Sequence, residues 1–185
     1  MLLSHFRCTE AHDRLVNLGR RLPTDAFEAV FGGFLTEGYD SVLLRTCGGD
    51  SSKMRQLLLD RAADEYLRSQ AADALAGAAV LGYADRSEIL EMMANLLTPD
   101  AAEEGSYLWS GVGSAMLHLY PVEYQDRLAQ ACHEWLIEPM HFDAEHVTEP
   151  IAKGPAHAVE ALRCVEEPGW HDIHAKLEWW ACFDR

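Results

Sequence analysis

The stretch "EYLRSQAADALAGAAVLG", Glu65 to Gly82, decides the fold class. Its residues Leu67, Ala71, Ala74, Leu75, Ala78 and Leu81 recur at steps of three and four, which places them on one face of a helix. Gly82 can stop that helix, because glycine takes the left-handed conformation of a helix C-cap without a steric cost. Asp85 is a good N-cap for the next one. There Ile89, Met93, Leu96 and Leu97 form the apolar stripe of "RSEILEMMANLL", which ends at Thr98-Pro99.

The same two-helix paragraph then recurs. Ser106 caps "YLWSGVGSAMLHLY", with Leu108, Val112, Ala115, Met116 and Leu119 on one face. Pro121 is placed to open "VEYQDRLAQACHEWLI", a helix expected to bury Tyr124, Leu128, Ala131 or Cys132, and Trp135 before Glu138-Pro139 closes it. "YLRS" at Tyr66 to Ser69 overlays "YLWS" at Tyr107 to Ser110 at an offset of 107 − 66 = 41 residues, and Ala74 then meets Ala115. Two helices per unit at such a period define a solenoid of the HEAT or armadillo kind.

Flanking segments extend the pattern. Thr9 and Thr24 precede "EAHDRLVNLGRRL" and "DAFEAVFGGFL" as caps, and Asp50 or Ser51 precedes a stripe of Met54, Leu57 and Leu58. Pro155 opens "AHAVEALRCV", and a last helix starts near His171 or Asp172. Strand signals are nearly absent. The expectation is one all-α domain over residues 1–185, an α-α superhelix with repeat units at about 65–99 and 106–139 and capping helices at about 155–183.

At 185 residues with 49% hydrophobic and 24% charged side chains, the chain is long enough to bury a real core. Thirty acidic residues against fifteen Lys and Arg leave a formal charge of −15. Such a surplus argues against nucleic acid, which requires a basic face, and against an anionic membrane surface. It suits a basic protein partner or cations. The five cysteines show no CxxC spacing and an odd count, the pattern of buried, reduced thiols in a cytoplasm. No apolar stretch has the length of a signal-peptide core or a membrane span.

Near the end of the chain, "LEWWACF" spans Leu177 to Phe183. A repeat cannot bury its apolar face alone, so terminal helices must seal the open end of the stack, and Trp179, Trp180 and Phe183 are expected to form that structural cap. With "EYLRSQAADAL", "SYLWSGVGSAMLHLYP" and "LIEPMHFDAEHV", this ending resembles the bacterial domain-of-unknown-function family 1186 over about residues 65–183. The resemblance implies an α-α superhelix and no activity. Some relatives carry a cysteine-rich SEC-C metal motif after this ending. Here the sequence stops at Arg185, so that zinc site is not carried over.

Nine histidines invite a metal reading. His171 and His174, spaced i, i+3 near Glu167 and Asp172, could share an ion, and His133-Glu134 resembles the His-Glu pairs of HEAT-repeat di-iron hydroxylases. Surface helix histidines explain the same pattern. No nucleophile elbow and no phosphate-binding glycine loop is present. The sequence therefore points first to a non-catalytic, cofactor-free interaction module that takes a basic protein, in the manner of an inhibitor or immunity protein. Its partner-binding residues would be Glu88, Glu91, Gln130 and Glu134, on the face built by the second helix of each pair. The alternative is a metal-dependent enzyme using His133, Glu134, His171 and His174.

Overall fold

A computed structural model describes residues 5–21, 26, 29 and 38–157. Among them every regular element is helical: α1 (His12–Arg21), α2 (Tyr39–Thr46), α3 (Ser52–Leu59), α4 (Glu65–Val80), α5 (Arg86–Ala94), α6 (Leu108–His118), α7 (Gln125–His133) and α8 (Ala144–Lys153), with short 3-10 turns at Thr9–Ala11, Pro99–Ala101 and Val122–Tyr124.

The central element is α4, which packs against α2, α3, α5 and α6. Its N-terminus is held by Asp64, whose carboxylate accepts from the backbone N–H groups of Tyr66 and Leu67. At its other end the Tyr83 N–H reaches the Ala78 carbonyl (2.8 Å) and the Gly82 N–H reaches Ala79 (3.2 Å). That pair of bonds is a Schellman closure, and Gly82 sits in its left-handed position at φ 75°. The apolar face read from the sequence is the core: Leu67, Ala71, Ala74, Leu75 and Ala78 are buried, as are Ile89, Met93, Leu97, Leu108, Val112, Ala115, Met116 and Leu119.

Close helix contacts depend on small residues. A Cβ at Gly77 would overlap Leu44 of α2, and one at Gly111 would overlap the Ser69 side chain. Glu65 accepts hydrogen bonds from the Ser106 hydroxyl and the Tyr107 N–H, tying the start of α4 to the start of α6. Since Ser69 also faces Gly111, one turn further along each helix, α4 and α6 run side by side in the same direction. Contacts of Asp40 with Gln70 and of Leu44 with Gly77 give the same parallel relation between α2 and α4.

Arginines, one of them buried, fasten the ends of these helices. The Arg68 guanidinium donates to the Leu58 (2.9 Å) and Ala101 (3.2 Å) carbonyls. Arg86 donates to Leu119 (2.7 Å), to Tyr120 and to Glu123. Arg127 donates to Leu97, which seats α7 against the end of α5.

Several expectations change. Helix α7 stops at His133 rather than running on to Ile137, and Trp135, expected in the core, is 76% exposed. The cause is a second Schellman closure: Leu136 N–H bonds Ala131 (3.0 Å), Trp135 N–H bonds Cys132 (3.1 Å), and Trp135 takes φ 60°. That backbone turns the indole outward. Thr9 makes no capping hydrogen bond and instead begins the short 3-10 turn ahead of α1. The helices α2 and α8 were not among those expected. The first has Gly38 at its N-cap with no side-chain cap, and the second contains Pro150. Helix α8 forms because Asp143 and His146 close a capping box at its start. Of the expected C-terminal capping helices, residues 155–157 are helical and the remainder lies outside the described residues, as do Thr24, Trp179, Trp180 and Phe183.

Candidate functional site

Helices α3 and α5 border an open groove of about 660 Å³ lined by Arg55, Leu59, Glu88, Glu91, Met92, Asn95 and Leu96. Helical spacing sets this lining: Glu88, Glu91, Met92 and Asn95 fall at steps of three and four along one side of α5. Asp85 starts the helix by accepting the Glu88 N–H (3.0 Å), which aims the first turn of α5 at α3. There the Glu88 carboxylate pairs with Arg55 at 3.0 Å.

The floor is apolar. Leu59 is 50% exposed, an unusual state for a leucine at the end of a helix whose other leucines are fully buried. Met92 and Leu96 flank it and are partly buried or buried. Two carboxylates against one guanidinium leave the rim negative, and Glu91 is exposed with no ion pair to any described residue. Chemically the groove can hold a chain segment that brings aliphatic side chains to the floor and a positive charge to the rim. It offers no nucleophile and no base poised against one.

The sequence-derived candidates divide. Glu88 and Glu91 come together in this groove, whereas Gln130 and Glu134 lie on α7 and at its end, outside the groove lining. Those two are joined to each other, with the Gln130 side-chain amide donating to Glu134 at 2.7 Å and Arg127 donating to Gln130 at 3.2 Å. His133 and Glu134 are exposed at the end of α7. His171 and His174 lie outside the described residues. Among the described residues no group of three or more His, Cys, Asp or Glu side chains converges as metal ligands.

Two carboxylates that the sequence reading passed over stand out. Asp40 at the start of α2 and Asp73 on α4 come close enough for the charge of Asp40 to help raise the Asp73 carboxyl, after burial, to about 7. Asp40 is itself raised by burial. Nothing in local sequence marks them, since 33 residues separate them (73 − 40 = 33) and only the docking of α2 on α4 joins them. The nearest hint is the i, i+7 placement of Asp73 from Tyr66.

Three free cysteines lie among the described residues: Cys47 is buried, and Cys8 and Cys132 are partly so. Burial pushes the Cys47 and Cys132 thiols up, away from the reactive thiolate. No helix of the described residues is long and apolar enough to cross a membrane.

The class so defined, over the described residues, is an all-α fold packed around a central α4. The chain belongs to the family described as protein of unknown function DUF1186, whose model matches residues 1–184. The match takes in the first sixty residues as well as the segments that carried the resemblance. No curated protein and no solved structure matches the chain.

Proposed function

We propose that this protein is a non-catalytic interaction module, a helical-repeat stack of the HEAT or armadillo kind that binds a basic protein through the α3–α5 groove. The observation that carries the reading is the lining of that groove, an apolar floor of Leu59, Met92 and Leu96 rimmed by Glu88 and Glu91. Parallel first helices α2, α4 and α6 support the repeat assignment, because stacked helix pairs expose the second helices as one extended face. The formal charge of −15 supports a basic partner, and masking a basic toxin or enzyme is the sharpest form of the role. The reading sets the protein in a bacterial cytoplasm, where its thiols stay reduced.

The test is binding of a lysine- and leucine-rich peptide, with a glutamate-for-lysine peptide as control, followed by surface plasmon resonance across a salt series. Exposed charges are screened beyond about 8 Å at physiological salt, so association should slow markedly as salt rises. Glu88→Lys with Glu91→Lys should slow it further, and reversal of Glu134 should do less. Affinity indifferent to salt and to the groove reversals would remove the reading.

A further inference from the structure

A cavity of about 470 Å³ lies between the loop joining α3 to α4 and the segment that leads from the Pro99–Ala101 turn into α6. Arg61 comes from the loop and Arg68 from the start of α4, while Asp100, Ala102, Glu103 and Ser106 come from the segment before α6. The bonds of Arg68 draw these parts together. Its Nε donates to the Leu58 carbonyl at 2.9 Å, and its Nη1 donates to the Ala101 carbonyl at 3.2 Å. Two guanidinium groups thus share one cavity wall.

Arg68 is the member whose charge is not matched. The side chain is 3% exposed, and its Nη2 is buried with no hydrogen-bond partner among the described residues. Carbonyl dipoles are not a counter-charge, and a charge taken out of water is costly unless it is paired. The two carboxylates whose charges reach it are engaged elsewhere. Asp60 pairs with Arg20 at 2.6 Å, and Glu65 accepts from the Ser106 hydroxyl and the Tyr107 N–H. Arg61 is exposed and forms no ion pair with any described residue. Two cations against one wall ask for an anion, and the cavity limits its kind. A guanidinium presents two parallel N–H groups that match a planar carboxylate. Asp100 and Glu103 line the same cavity but are exposed, so water screens them from a single negative charge. A dianion such as phosphate would meet about twice that repulsion.

We propose that the cavity bounded by Arg61, Arg68, Ala102 and Ser106 is a binding site for one singly charged carboxylate group. Arg61 supplies the direct pair, and Arg68 supplies the second, fixed charge behind it. The site shares no residue with the α3–α5 groove and does not rest on the interaction reading. Its carboxylate can come from a free small acid or from the C-terminus of another protein.

The experiment is an NMR titration of the isotope-labelled full chain at low ionic strength and about pH 7, where carboxylates are ionised, read on the amides of Ala101, Ala102 and Ser106. The probes are sodium N-acetylglycinate and an N-acetylated Gly-Ser peptide with a free C-terminus, with the uncharged amides of both and inorganic phosphate as controls. The expected result is saturable shifts of these amides with both carboxylates and none with the uncharged compounds. Arg61→Gln should weaken binding about tenfold, the loss of one charge-assisted contact. Because Arg61 is exposed and unpaired among the described residues, that variant should keep the wild-type melting curve. Ala102→Glu sets a competing carboxylate against the same two cations and should abolish binding. Tighter binding of the peptide than of N-acetylglycinate assigns the site to a protein C-terminus, equal or weaker binding to a small acid. The proposal is overturned if neither carboxylate shifts these amides, if Arg61→Gln binds as tightly as wild type, or if phosphate binds more tightly than both carboxylates.

Discussion

Tyr66 and Tyr107 stack with ring centroids 5.0 Å apart, and 41 residues separate them in sequence (107 − 66 = 41). Each stands at the start of its helix, so the stack sets α4 and α6 in register from their first turns. Such a pair contributes about 0.5–1.5 kcal/mol beyond the area it buries. One turn further along, that register brings Ser69 against Gly111 and leaves no space for a larger residue.

Gly111→Ala should therefore destabilise the protein. The added methyl would lie 2.6 Å from Ser69 Cβ and overlap its hydroxyl, and overpacking of this kind costs about 1–3 kcal/mol. Urea denaturation reads the loss as a lower midpoint. Ser69→Gly in the same chain should restore much of it, because it clears the space the methyl needs. An unchanged midpoint in Gly111→Ala would mean that α4 and α6 are not packed this closely.

Arg68→Met should cost more. The substitution keeps the aliphatic stem but orphans the Leu58 and Ala101 carbonyls that the guanidinium joins. Losing charge-assisted bonds at buried acceptors costs about 2–4 kcal/mol. Arg68→Lys should not rescue it, since a point charge cannot span both carbonyls. Denaturation midpoints for the two variants, matched to wild type, check the claim.

The Asp73 carboxyl binds its proton more tightly in the fold, near 7, than its ordinary value of 3.8. Its contribution to stability is thus fully present below about pH 4 and is lost as pH rises through about 7. Asp73→Asn should melt like wild type in acid and above it at about pH 8, with the gap opening between. Burial lowers His12, so that ring removes stability as the medium turns acid, but both proteins share it and it cancels in the comparison. A gap that stays constant with pH would show that Asp73 titrates normally.

Trp135→Gly should stabilise the chain by about 0.5–1 kcal/mol. Trp135 occupies at the end of α7 the left-handed position that Gly82 fills at the end of α4, with φ 60° against 75°. Its indole is 76% exposed and packs little against the core. A lower midpoint would instead mean that the exposed ring makes a contact worth more than the backbone strain.

The helices α4, α5, α6 and the start of α7 were legible from sequence because an apolar stripe is a local property. Leu67, Ala71 and Leu75, or Leu108, Val112 and Met116, must share a face on any helix and must then be buried together. The acidic groove was half legible for the same reason: Glu88 and Glu91 stand off the stripe of α5, but that Leu59 of α3 would form its floor depended on how the pairs stack. Helix α2 was missed because eight nearly all-buried residues show no polar face to give a period, and only its neighbours α1 and α4 account for it. The apolar character of Trp135 predicts burial, but the backbone turn that closes α7 carries the ring outward. Asp40 and Asp73 show the limit most plainly. Each reads as an ordinary helix carboxylate, and the burial of both and the charge of Asp40 that helps raise the Asp73 carboxyl arise only when the helices pack. Periodicity is set by neighbours along the chain, whereas a site is set by distances across it, and those exist only in the folded molecule.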